Sequence, residues 1–455
     1  MAIPQDQWLR CGLAWAAKIA CSGRYVTGRK PLDVLLESAA WTYSTPEDLQ
    51  ALRGGKPTDV LLEGVTLSED LSQRAVTLEK AGQRATARMH GGGAVVVDDV
   101  HQPVRALPAT NLAPQSEADD FFEKSDPTGI DLQQVQQALE LVFSDPRQMT
   151  NAYLVLHKGQ LVAERYRAPF HASTQFESWS MGKSLASTLI GRLHHRGEID
   201  LEQQGLFKEW QDVDDPRRQV RLRHILNMSS GLKFTGSFGR GEDTAVKARD
   251  GFFLDHIYVY ASGCDSYEFC VGKPLEIEPG SEVRYRNCDP LLAMRLLREH
   301  AGSDEAFANL PRDLLLNQIG AHGFVLETDP FGGFLISGHD YARARDWARL
   351  GQLWLQRGVW EGQRLLSETY VDFALTPAPG SDEPYYGGFI ILNRSGIAAG
   401  LPADAFWFSG GGLQRTIVIP SKDLVIVRMG HILGARFKLD NTLQDANRLL
   451  CGAVG

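Results

Sequence analysis

A chain of 455 residues can bury a large core and suggests two or three domains. An apolar fraction of 43% beside 23% charged residues is that of a soluble globular protein, and a net charge of -9 without a long basic run argues against nucleic acid as a partner. Six scattered cysteines (Cys11, Cys21, Cys264, Cys270, Cys288, Cys451) form neither a disulfide framework nor a CxxC zinc pair, so free thiols are expected and no metal.

Residues 12–21 are fairly apolar, but Lys18 interrupts them and Asp6 precedes them. That is a poor signal peptide and too short for a membrane span. A cytoplasmic location is expected, with a periplasmic one left open if a leader has been removed. Residues 1–40 read as helix, broken by Gly-Arg-Lys-Pro at 28–31, and residues 55–100 alternate short apolar and polar runs ending in a strand. His90-Gly91-Gly92-Gly93 imitates the oxyanion loop of α/β-hydrolase lipases, a fold that also needs a Gly-x-Ser-x-Gly elbow. The chain has none, so this stretch is read as a turn into a strand. Residues 101–118, with Pro103, Pro108 and Pro114, have a linker composition, which divides the chain into 1–120 and 121–455.

From Asp131 a helix leads to two apolar runs separated by Lys158-Gly159, a hairpin signal. In Phe176–Leu201, Leu185, Leu189, Ile190 and Leu193 recur at helical spacing, with Ser178 and Ser180 as start residues and Gly197 as the stop. Short helices and loops fill 202–280, helices dominate 289–300 and 340–357, and strands return at Phe406–Phe408, Arg415–Pro420 and Asp423–Met429. Strands at both ends with helices between predict an α+β layer, not an alternating parallel sheet.

Three polar clusters carry the chemistry. Ser180 and Lys183 sit three apart on one helical face, where an amine can take the seryl proton and the amides of the helix start can steady an oxyanion. Ser-x-x-Lys alone is cheap, since a surface helix with a capping serine also satisfies it. After the turn Pro279-Gly280, a short strand is expected to present Tyr285 and Asn287 on one side. A phenol near a lysine is a candidate base or relay, and Asn287 can bind a substrate carbonyl. In Ser409-Gly410-Gly411-Gly412-Leu413-Gln414 the glycines allow close approach, so an amide within Gly411, Gly412, Leu413 and Gln414 could complete the oxyanion hole. Trp407 is a candidate substrate contact, although aromatics in strands more often belong to a core. Adjacent His194-His195, His224 and His339 lack ligand-spaced partners and are read as structural or solvated.

In this order, the clusters resemble the penicillin-recognising serine hydrolases: class C β-lactamases, family VIII carboxylesterases, D-amino-acid peptidases and 6-aminohexanoate-dimer hydrolase. The resemblance covers about 130–450 and includes Trp179–Ser184, Leu222–Leu232, Asp346–Leu353 and Gly358–Leu366. It implies a β-lactamase/transpeptidase-like fold, an antiparallel sheet flanked by helices, with a helical subdomain at about 190–290. It also implies Ser180 as the acylated nucleophile, Lys183 as its proton partner and Tyr285 as the base for the deacylating water, with no cofactor.

The family's third motif usually opens with a cation that helps hold a drug's carboxylate. Here Gly410 or Gly411 stands in that place, so weak β-lactam turnover is expected and the esterase and dimer-hydrolase branch is favoured. The reading is a serine hydrolase acting on a small-molecule ester or amide. A D-peptidase, a weak β-lactamase and a non-catalytic penicillin-binding-like sensor are the alternatives. Residues 1–120 are expected to shape the pocket or to carry a homo-oligomer contact.

Overall fold

The computed structural model describes residues 5–39, 64–98, 104–105, 107, 129–145, 148–234, 254–381, 385–432 and 441–454. Nearly all of the linker expected at 101–118, with its three prolines, lies outside the described residues. Two compact units result. One gathers Met1–Thr110, Asp200–Ala308 and Val325–His339; the other gathers Asn111–Ile199, Asn309–Phe324 and Asp340–Gly455.

In the first unit, helix α1 (Gln5–Tyr25) packs across an antiparallel meander of β1 (Thr66–Asp70), β2 (Ala75–Lys80), β3 (Gln83–His90) and β4 (Gly93–Val97). Leu13, Ala17 and Ala20 of α1 are buried, as are Val76, Leu78, Ala87, Val95 and Val97 of the strands. His90-Gly91-Gly92-Gly93 is a hairpin turn, as the sequence suggested, with His90 paired to Gly93 and Gly91 at φ +59°. Gly93 is obligatory there, because a Cβ would lie 2.6 Å from Glu327 Cγ. Lys18, the cation that breaks the apolar run of α1, is fully buried and pairs with Glu327 at 2.9 Å. It also donates to Ala94 O. Ser22 Oγ and the amide of Ala94 donate to Glu327 Oε1, and Trp15 Nε1 donates to His339 Nε2. Buried charge is tolerated here because it is paired and its remaining oxygens are hydrogen-bonded.

The second unit is built on a six-stranded antiparallel sheet. Its strands are β5 (Thr150–His157), β6 (Gln160–Tyr166), β9 (Ile391–Leu392), β10 (Phe406–Gly410), β11 (Gln414–Ile419) and β12 (Leu424–Gly430), in the order β9-β10-β11-β12-β5-β6. Lys158 and Gly159 close the β5–β6 hairpin at φ +51° and +76°, a two-residue turn of the expected kind. Helices α2 (Leu132–Ser144) and α6 (Asn441–Ala453) cover one face, and α4 (Ala344–Leu355) covers the other. Both faces are therefore dry, which is why β5 and β12 are buried at every position. Asp131 caps α2, its carboxylate accepting from the amides of Gln133 and Gln134.

This is the α+β arrangement, an antiparallel sheet flanked by helices, that the sequence predicted. No cysteine among the described residues is disulfide-bonded, and no described helix is long and apolar enough to cross a membrane.

Candidate active site

Helix α3 (Gly182–His195) is entered through the short strand β7 (Phe176–Glu177) and a single 3-10 turn, Trp179–Met181. Leu185, Leu189, Ile190 and Leu193 are buried as their spacing predicts, and Gly197 ends the helical run at φ +70°. The expected serine cap does not form. Ser178 makes no side-chain cap; its Oγ accepts instead from Trp347 Nε1 at 2.9 Å, so the hydroxyl anchors the turn to α4. Ser184 Oγ donates to Phe389 O and Thr188 Oγ1 accepts from Trp354 Nε1. The helix is tied down along its length, and Ser180 rides on its rigid N-terminal end.

Lys183 Nζ donates to Ser180 Oγ at 2.8 Å. The serine keeps some exposure while the lysine is 1% exposed. Burial pushes the Lys183 pKa well below the usual 10.5, and the nearby charge of Asp340 opposes that only in part. Desolvation therefore favours the neutral amine, the form that accepts a proton. Asp340 lies on β8 (Asp340–Ala342), which pairs with β7. No sequence spacing marked this residue.

The turn between β10 and β11 is brought to the stretch that carries Ser180. Gly410 sits so close to it that a Cβ would lie 2.2 Å from Ser178 O, and both strands pack against Trp179–Met181. Within 411–414 only Gly411 retains exposure. Leu413 is buried in the core, and Gln414 is spent internally: its Oε1 accepts from the Gly430 amide at 2.7 Å. A side-chain contact with substrate from either residue does not fit this packing.

Trp407 is likewise a core residue. It is 5% exposed, pairs with Ile417, and packs with Val135, Tyr153, Leu443 and Leu450 under α2 and α6. Its neighbours Phe406 and Phe408 point to the opposite face, against Trp354 and Trp347. Strand alternation thus turns Trp407 away from the face that carries α4. The same row holds Ser409, Arg415 and Arg428. Arg415 donates to Ser409 Oγ and to the carbonyls of Gly410 and Gln414, and Arg428 to those of Gly412, Leu413, Gly430 and Gln148. These cations order backbone on the α2/α6 face.

Sequence reading missed a buried cluster beside Ser180. Trp179 Nε1 donates to His431 Nε2 at 2.7 Å, Glu177 Oε2 lies 3.5 Å from the same nitrogen, and Gln414 Nε2 lies 3.4 Å from it. Glu177 was in plain view three residues before Ser180; His431, just past β12, gave no signal.

In the other unit, Gly280 turns at φ +83°, but the expected short strand is reduced to a single bridging position at Tyr285. Asn287 already stands at the N-cap of the helix Cys288–Ala301, so the period-two argument for the pair does not apply. Pro290, in the first turn, presets that helix start. Tyr285 is half-buried, whereas Asn287 is buried with Nδ2 3.5 Å from His256 O. Behind them Asp289 accepts from Ser230 Oγ at 2.6 Å, tying the Leu222–Leu232 motif to this helix.

No group of three or more His, Cys, Asp or Glu side chains among the described residues is placed to hold a metal ion.

A buried lysine on a partly exposed serine, at the head of a helix packed on an antiparallel sheet, defines a class that comparison makes explicit. A family model described as Beta-lactamase matches residues 144–447, and the chain belongs to that family. It is 24% identical over 302 residues to the 6-aminohexanoate-dimer hydrolase of Paenarthrobacter ureafaciens, covering 62% of this chain and 72% of the relative. Among solved structures, a Bacillus anthracis protein assigned as a 6-aminohexanoate-dimer hydrolase aligns with a TM-score of 0.52 at 23% identity, over 68% of this chain and 78% of that one. A family VIII carboxylesterase aligns with a TM-score of 0.55 at 15% identity, over 71% and 97%. At such identities the structural likeness establishes the fold, which is the β-lactamase/transpeptidase-like one expected from the motifs.

Proposed function

We propose that the protein is a serine hydrolase that cleaves an ester or amide bond through an acyl-enzyme on Ser180. One observation carries the reading: Lys183, its pKa lowered by burial, lies 2.8 Å from the Ser180 hydroxyl. As Ser180 Oγ attacks the substrate carbonyl, its proton passes to Lys183 Nζ. The amide of Ser180 and an amide of the Gly411–Gln414 turn, which we assign to Gly411 as the exposed member, stabilise the tetrahedral oxyanion. Collapse expels the alcohol or amine, which takes the proton back. By family resemblance, Tyr285 acts as base for the water that releases the acid, and Asn287 contributes to the substrate side. No step calls for a metal or organic cofactor.

The relatives named 6-aminohexanoate-dimer hydrolase and carboxylesterase define the substrates to try. A fluorophosphonate probe followed by intact mass should show one adduct, absent in Ser180→Ala. A panel of short-chain p-nitrophenyl esters, a linear aminohexanoate dimer, D-alanyl amides and a chromogenic cephalosporin should show esters cleaved best and the cephalosporin poorly. Absence of labelling on folded protein would remove the proposal, and rapid cephalosporin turnover would overturn the argument from the missing cation.

A further inference from the structure

Two bulky residues beside the proposed reaction centre have left-handed backbone conformations. Trp179, directly before Ser180, has φ +52°, and Leu413, at the end of the β10–β11 turn, has φ +66°. Conformations of this kind in non-glycine residues persist only when their surroundings over-determine them. Both are held from the C-terminal end of β12.

On the nucleophile side, the Trp179 indole N–H is fixed by His431 Nε2 at 2.7 Å, with the two rings edge to face at 6.2 Å. On the turn side, the Ile432 amide donates to Gly412 O at 3.0 Å, while Arg428 donates to Gly412 O at 3.3 Å and to Leu413 O at 3.0 Å. A peptide is planar and trans, so these bonds fix the 412–413 and 413–414 peptides, the part of the turn directly after Gly411, whose amide is the assigned donor. Gly412 rests on His431 itself: a Cβ there would lie 2.7 Å from His431 Cδ2 and 3.0 Å from its Cα. Gln414, whose Oε1 is fixed by the Gly430 amide, closes the contact from the other side. His431 is 4% exposed. It therefore has no direct access to substrate, yet it touches the residue before the nucleophile and the turn that faces it.

We propose that His431 is a positioning residue that holds the nucleophile turn and the Gly411–Gln414 turn in register, through its hydrogen bond from Trp179 and its packing against Gly412. The role rests on the serine-hydrolase reading above, because what it aligns is the pair of oxyanion donors.

The test compares wild type with His431→Leu, His431→Gln, Trp179→Phe and the double variant Trp179→Phe/His431→Leu. For each, the readouts are the rate constant of fluorophosphonate labelling at Ser180, kcat and KM for a p-nitrophenyl ester, and the thermal unfolding midpoint. Loss of one oxyanion donor lowers kcat by roughly 100- to 1000-fold, so a loosened pair should lower labelling and kcat by about 10- to 100-fold with KM little changed. Glutamine can accept the indole proton where leucine cannot, so His431→Gln should recover most of the rate. Trp179→Phe should reproduce the loss, and adding His431→Leu to it should cost little more, the signature of two groups acting through one contact. Labelling of His431→Leu at the wild-type rate would overturn the inference. So would a His431→Gln variant as slow as His431→Leu, which would reduce the residue to core packing. If wild type itself does not label, it is the hydrolase reading that fails.

Discussion

Lys183 Nζ is buried to 1% exposure and lies 2.8 Å from Ser180 Oγ, which solvent still reaches. Burial depresses the amine's pKa, while the serine stays partly open. In the reaction proposed above, this asymmetry lets the lysine serve as base without a histidine.

Removing the amine should remove the chemistry. Lys183→Met is expected to lower kcat/KM for p-nitrophenyl esters by roughly 100- to 10,000-fold, the range for loss of a positioned general base. Steady-state assays on folded variant protein check this, and a loss below tenfold would assign proton transfer elsewhere.

The same lysine fixes a sign for pH dependence. Its folded pKa lies below 10.5, so the folded protein holds fewer protons than the unfolded chain over that window, and this group's burial costs stability most at low pH. Lys183→Met should therefore raise the unfolding midpoint at acidic pH, with the gain fading as pH approaches about 10.5. Activity should rise with pH along a limb that ends well below the ordinary lysine range. A limb centred near that range would contradict the desolvated amine.

The Lys18–Glu327 pair ties α1 to its unit. Burial on its own raises the Glu327 pKa, but Lys18, His339 and Ser22 outweigh it and hold the carboxyl at about 2 against an ordinary 4.5. This contribution is present above pH 4.5 and is lost as pH falls toward 2. Lys18→Met, which strands a buried carboxylate, should cost about 3–5 kcal/mol in urea unfolding at neutral pH. Lys18→Met/Glu327→Leu should recover most of it, and equal losses in both variants would show that the charge pairing is not the cause.

Trp407 separates core from site. Trp407→Phe should lower the unfolding midpoint through lost packing under α2 and α6 while leaving kcat/KM near wild type. A large rise in KM at unchanged stability would return this residue to the substrate pocket.

Tyr285→Phe tests the base assigned by resemblance. If the phenol serves deacylation, the variant should show a rapid burst of p-nitrophenol, then a slow steady state, with the acylated protein visible by intact mass. Loss of the burst itself would place the phenol in acylation.

The sequence by itself determined what short-range rules encode. Helical spacing placed α3, Lys158-Gly159 and His90–Gly93 marked two hairpin turns, and Ser180 with Lys183 required only one helical turn to meet. The order of the three motifs identified the family. Local rules failed where tertiary packing chose the outcome. Tyr285 and Asn287 straddle a bridge and a helix cap instead of sharing a strand, and Ser178 bonds Trp347 instead of capping its own helix. Lys18 was visible only as an anomaly in an apolar run until Glu327 supplied its partner. His431 was invisible, because a buried polar group takes its role from whatever the fold brings within about 3 Å, and no periodicity in the chain records that distance.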